Sequence, residues 1–189
     1  MPETGRHDRA SSIQNWQIDF MHGHPRLFDV MYDDPAHTPG YPLCGIGWRD
    51  ILERLCDWIE HALADGDRFA FVCLGQKFGT LRLSWAGTLW DESYARIEQA
   101  IALAEARSAC TCEQCGEEGC LYRHEGVWMT RCPPDAKGEP VRIEAGLESF
   151  HVIRVTELRD MRVFFCRPYD RAAVAFAGIP PGDSEIQEA

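Results

Sequence analysis

The sequence predicts an α+β protein: a helix–β-hairpin–helix body, followed by a zinc-ribbon-like β-hairpin and a short C-terminal β segment. Three observations carry this reading. "GWRDILERLCDWIEHALADG" repeats apolar residues at helical spacing, and "RFAFVCLGQKFGTLRLSW" alternates like two strands around a glycine-containing loop. "CTCEQCGEEGC" then gathers four cysteines, Cys110, Cys112, Cys115 and Cys120, on a short stretch. A length of 189 residues suits one domain with a small module attached, and an apolar fraction of 45% is enough for a real core.

Residues 1–46 are dense in Pro, Gly, Asp and His ("HGHPRLF", "YDDPAHTPGYP") and read as an irregular segment. It packs on the body through Phe20, Leu27, Phe28, Val30 and Met31. The body spans 47–109. Its first helix buries Ile51, Leu52, Leu55, Cys56, Ile59 and Leu63, with Asp50 in the first turn and Gly66 as the stop. The opposite stripe, Glu53, Asp57 and Glu60, is expected to face water and to be open to a basic partner.

In the hairpin, Phe69, Phe71 and Cys73 share one face of the first strand, and Leu81, Leu83 and Trp85 share one face of the second. The second helix, Asp91 to Ser108, presents Tyr94, Ile97, Ile101 and Ala104, with Asp91 or Ser93 as its cap. Residues 110–136 form the cysteine module. Residues 137–178 are read as three short strands, "VRIEA", "FHVIRV" and "MRVFFC", and 179–189 as a flexible polar tail.

The cysteines have a defined spacing: Cys112-x2-Cys115-x16-Cys132-x2-Asp135. A zinc ribbon needs two ligand pairs on tight turns joined by a hairpin, and C-x2-C-x15–20-C-x2-C is its signature. "CLYRHEGVWMTR" supplies the hairpin, with its turn at "HEG", and Gly116 follows the first pair. Asp135 fills the fourth slot although structural zinc sites favour Cys or His there. Cys110 and Cys120 are its rivals, and His124 at the hairpin tip is the weakest candidate. A ribbon that keeps its shape without metal is the alternative. Redox chemistry of Cys112-x2-Cys115 lacks the βαβ context that it requires.

Composition narrows the function classes. No apolar run of about 18 residues spans a membrane, and the N-terminus lacks the order of a signal peptide, so a cytoplasmic location is expected. In a reducing compartment nine cysteines, an odd number, favour metal over disulfides. A net charge of −11 opposes general nucleic-acid binding. HExxH, GxSxG, phosphate-loop and zinc-deaminase patterns are all missing. The His22-Gly-His24 pair and Asp33-Asp34 read as a polar loop, so no enzyme is expected.

"GWRDILERLC", "KFGTLRLSW", "AEARSACTCEQCG" and "WMTRC", in this order over roughly residues 45–135, resemble a family of small phage- and prophage-encoded proteins of Gram-negative bacteria, largely uncharacterised. The resemblance implies a zinc module in a phage-derived chain. It also implies a Cys or His where this sequence has Asp135 in "CPPD".

The expected function is a non-enzymatic phage or mobile-element accessory protein that binds a host protein with a basic surface. One form of it is inhibition of a bacterial defence system such as CRISPR. The alternative is a nucleic-acid-binding zinc ribbon using Arg123, Arg131, Lys77 and Arg82.

Overall fold

A computed structural model describes residues 16–147, 149–158 and 161–177. The expected tail at 179–189 lies outside the described residues. The chain is α+β, with three small three-stranded sheets among the described residues. Among the described residues, no helix is long and apolar enough to cross a membrane.

From residue 16 onward, the N-terminal segment is more regular than its composition suggests. Residues 16–23 are helical (α1), and Trp16, Phe20 and Met21 on it are buried. Trp16, Phe20 and His24 fall at helical spacing. His24 is therefore no polar-loop residue: it is 5% exposed and meets the Phe20 ring edge-on at 5.3 Å. Gly23 and Pro25, on either side of His24, mask a periodicity only two turns long.

Helix α2 (Arg49–Ala62) buries Ile51, Leu52, Leu55, Cys56 and Ile59, as its spacing predicts. Leu63 is the residue just past its end and is half-buried. Strands β1 (Pro42–Leu43), β2 (Arg68–Lys77) and β3 (Thr80–Thr88) form the body sheet, with β1 parallel and β3 antiparallel to β2. A bulge at Val72 shifts the alternation by one residue. Phe69, Phe71 and Leu74 consequently face the core, while Cys73, expected on the same face as Phe69 and Phe71, is exposed. The bulge leaves the Val72 carbonyl free to accept the Gly40 N–H at 2.9 Å.

The expected glycine-containing loop is a two-residue turn. Lys77 pairs with Thr80, and Phe78 and Gly79 both have positive φ (54° and 82°), the geometry of a tight hairpin with native twist.

Helix α3 (Asp91–Ser108) packs on both sides, which blurs its periodicity. Ile97, Ala100 and Ala104 join the main core, whereas Ala102 and Ala106 meet Tyr169 and Phe176 from the C-terminal strands. Tyr94, expected inside, is 49% exposed. Neither Asp91 nor Ser93 caps the helix through its side chain, because Trp90 is the N-cap residue. A hydrogen bond from Ser93, together with the Trp90 and Ala64 N–H groups that Asp67 accepts at 2.8 Å each, holds the Asp67 carboxyl below the usual range.

The cysteine module contributes β4 (Cys120–His124) and β5 (Val127–Arg131), joined by a Glu125-Gly126 turn, with β6 (Glu139–Pro140) on the other edge of β4. "VRIEA" is not a strand: the expected pairing falls instead to residues 139–140, and Val141 adds one bond to Leu121 O at 2.8 Å. The last sheet is β7 (Phe150–Leu158), β8 (Met161–Asp170) and β9 (Ala175–Phe176).

Burial lowers the affinity of His151 for a proton, and Arg82 adds to that effect. A depressed imidazole stabilises the fold above its ordinary unfolded value and loses that contribution as pH falls below it. Acidification from pH 7 to 5 should therefore loosen the C-terminal sheet, read as lower amide protection factors over 166–177 once the slower intrinsic exchange at the lower pH is divided out. His151→Phe should flatten that dependence, and an unchanged pH profile in the variant would refute the assignment.

Candidate metal centre

Two tight turns set the site. In the first, the Gly116 N–H donates to the Cys112 carbonyl at 2.9 Å, and Gly116 has φ 85°, which a residue without a Cβ adopts at little cost. In the second, Cys132 leads into a 3-10 turn at Pro133–Asp135, and the Asp135 N–H donates to the Cys132 carbonyl at 3.1 Å. The β4–β5 hairpin brings the turns together by pairing Cys120 with Arg131.

One ligand atom from each of Cys112, Cys115, Cys132 and Asp135 lies within 4.8 Å of all the others. Cys115 Sγ is 3.5 Å from Cys132 Sγ, and Asp135 Oδ2 is 3.4 Å from Cys112 Sγ and 3.3 Å from Cys132 Sγ. Cys112 and Cys132 are buried, Asp135 is half-buried and Cys115 is exposed. This group could hold a metal ion. The rivals lie outside it. Cys110 turns its thiol to the Arg107 carbonyl at 3.3 Å, Cys120 is exposed on β4, and His124 stands at the far end of the hairpin.

The electrostatics fit a site built around positive charge. Burial opposes ionisation of Cys112, but backbone N–H groups of Cys132, Cys115 and Gln114 aimed at the sulfur outweigh it and bring the thiol down. Cys115 receives help from the Glu117 N–H, yet its Asp135, Cys112 and Cys132 neighbours push it up to about 12. Burial raises Cys132 as well. Asp135 is lowered by the thiols that donate to it. Ionising Cys115 and Cys132 as well would place more negative charge here than the backbone N–H groups offset, so both thiols hold their protons, and a bound cation would reverse that logic.

Sequence reading missed what anchors the first turn. Glu113, 9% exposed, faces inward. Its carboxylate accepts the Gly45 N–H at 2.9 Å and Arg131 Nη1 at 2.8 Å. Its backbone carbonyl accepts the Gly47 N–H at 2.9 Å, and its own N–H donates to Thr130 O at 3.1 Å. Fully buried Trp48 adds a bond from Nε1 to the Thr111 carbonyl at 2.8 Å. A Cβ on Gly47 would lie 2.4 Å from the Cys112 carbonyl oxygen and 2.5 Å from the Gly116 nitrogen. The alternating glycines of "CGIGW" were the available signal of close backbone approach.

The other singled-out residues are dispersed. Arg131 is held by Glu113 and Arg82 by Glu105 at 3.1 Å, while Arg123 lies over the Trp128 ring and Lys77 over Phe78. The acidic stripe does not all face water. Only Asp57 is exposed; Glu53 and Glu60 are half-buried because the turn after α1 lays His24 across them. Comparisons with protein-family models, curated proteins and solved structures give no match.

Gly47→Ala should force the Cys112–Gly116 turn away from α2. Overpacking of this kind costs about 1–3 kcal/mol, and here it also displaces two ligands. Expected are a lower unfolding midpoint and weaker metal retention in a competition with a chelator. Wild-type values for both would show that the turn is not held by this contact.

Proposed function

We propose that Cys112, Cys115, Cys132 and Asp135 bind one zinc ion as a structural site, and that the chain is a non-enzymatic interaction protein. The observation that carries the zinc reading is the spacing of the donors. Tetrahedral zinc with bonds of about 2.3 Å to sulfur and 2.0–2.2 Å to oxygen has S–S edges of roughly 3.8 Å and S–O edges of roughly 3.5 Å. The cluster has 3.5 Å and 3.3–3.4 Å, so a small expansion admits the ion. Three thiolates suit zinc better than the hard cations. Four protein donors leave no position for water or substrate, which favours a structural role over a catalytic one. The hairpin itself is mostly half-exposed, so metal binding would supply much of its stability.

The partner reading rests on charge. A net charge of −11 favours a protein with a basic surface over a phosphate backbone. The resemblance to phage-encoded proteins makes a host protein, including a component of a defence system, the natural candidate. The nucleic-acid alternative is weakened because Arg131 and Arg82 are already engaged by carboxylates.

Protein purified without chelator should retain one zinc in this site. Cys115→Ser should lose it and loosen residues 110–135 while the body stays folded. Asp135→Ala should weaken zinc by at least about 100-fold, since even outer-shell partners are worth 10–100-fold, and Asp135→Cys should restore or tighten it. Binding must displace protons from Cys115 and Cys132, so affinity should fall as pH decreases. Zinc content unaffected by Cys115→Ser would remove the assignment.

Binding to DNA or RNA at about 150 mM salt should be no tighter than that of ordinary non-specific binders, roughly 10⁻⁴–10⁻⁶ M. Fluorescence anisotropy measures it. Submicromolar binding lost on Arg123→Ala would favour the nucleic-acid reading instead.

A further inference from the structure

We propose a second metal site, formed by His24, Asp57 and Glu60, that takes a divalent first-row transition cation. It uses none of the cysteine cluster and does not depend on the function proposed above. One donor atom from each of the three residues lies within 4.8 Å of the other two. Asp57 and Glu60 stand one turn apart on α2, and the turn after α1 delivers His24 to them.

The orientation of the imidazole carries the argument. His24 is nearly fully buried, and its ring is fixed edge-on against Phe20 at 5.3 Å. Nε2 lies 3.1 Å from Glu53 Oε2, and Nδ1 lies 3.4 Å from Glu60 Oε2. In the tautomer that donates along the shorter contact, from Nε2 to Glu53, Nδ1 keeps a lone pair that a cation, and not the Glu60 carboxylate, would satisfy. A carboxylate that orients the far ring nitrogen, with the near one aimed at anionic donors, is the usual surrounding of a metal-bound histidine. Two donors of one ion with bonds of about 2.0–2.1 Å sit roughly 3.0–3.4 Å apart, which the Nδ1–Glu60 distance matches.

Charge supports the same conclusion. Glu53, Asp57 and Glu60 crowd one helix face, where like charges repel. Arg49 pairs with Glu53 at 3.2 Å, but Arg26 donates to the backbone carbonyl of Glu60, not to its carboxylate. Among the described residues, no arginine or lysine pairs with the side chain of Asp57 or Glu60. One nitrogen and two carboxylate donors suit zinc or manganese better than calcium or magnesium, which favour all-oxygen shells. Three protein donors, with Asp57 exposed, leave positions for water.

The test starts from full-length protein as purified, with its metal content measured first. Mn²⁺, followed by the loss of its free-ion electron paramagnetic resonance signal, and Zn²⁺ added beyond the first equivalent are the probes. One further equivalent of either ion should bind, both in the wild type and in Cys115→Ser. Asp57→Asn should weaken it at least tenfold with an unchanged circular dichroism spectrum, because Asp57 is exposed and makes neither contact to the His24 ring. His24→Gln should abolish it. Nitrogen NMR of the metal-free His24 ring should show one protonated nitrogen, Nε2. Two outcomes overturn the proposal: a ring protonated on both nitrogens with no further ion bound, which makes His24 a charged clamp between carboxylates, or binding that survives both substitutions.

Discussion

The close approach of two backbones, at Gly45–Trp48 and at Thr111–Gly116, governs the rest of the arrangement. Glycines at 45 and 47 let the chain entering α2 lie against the first cysteine turn with no side chain between them. Glu113 then makes four hydrogen bonds that tie the entry segment to the turn and the turn to β5. Each such bond contributes only about 1 kcal/mol net, but they act on one rigid junction. The cysteine module is therefore built into the body. The body hairpin reaches it from the other side, where Thr130 Oγ1 donates to the Gly79 carbonyl at 2.6 Å and Gln76 to the Trp128 carbonyl at 2.6 Å.

This mounting separates the two ligand clusters by character. The cysteine cluster has four donors and a shell of backbone N–H groups directed at sulfur, features of a closed site that holds a shape. The cluster on α2 has three donors, an exposed edge and a histidine oriented by a further carboxylate, features of an open one. The same helix therefore serves two purposes. Its apolar face holds the core through Ile51, Leu52, Leu55 and Ile59, and its acidic face meets the only buried histidine among the described residues.

Helix α3 connects these regions because it is rich in alanine. Ala100 and Ala104 allow contact with the main core, and Ala102 and Ala106 allow contact with Tyr169 and Phe176. A larger residue on either side would push one layer away. Covering both faces removes the polar stripe by which an amphipathic helix is recognised, and that is why Tyr94 was misplaced while Ile97 was not.

By itself the sequence determined the features that arise from local repetition. The face of α2, the two hairpins and the spacing of Cys112, Cys115 and Cys132 all follow from residues close in the chain. Contacts between distant segments were decided only in the tertiary structure. The bulge at Val72 turned Cys73 outward, the turn at His24 brought a ring over Glu53 and Glu60, and Pro133–Asp135 placed Asp135, rather than Cys110 or Cys120, beside the three thiols. The physical reason is that periodicity records which side of an element is apolar. It does not record which backbone will lie against that side, and close approach, bulges and buried polar pairs depend on the second quantity.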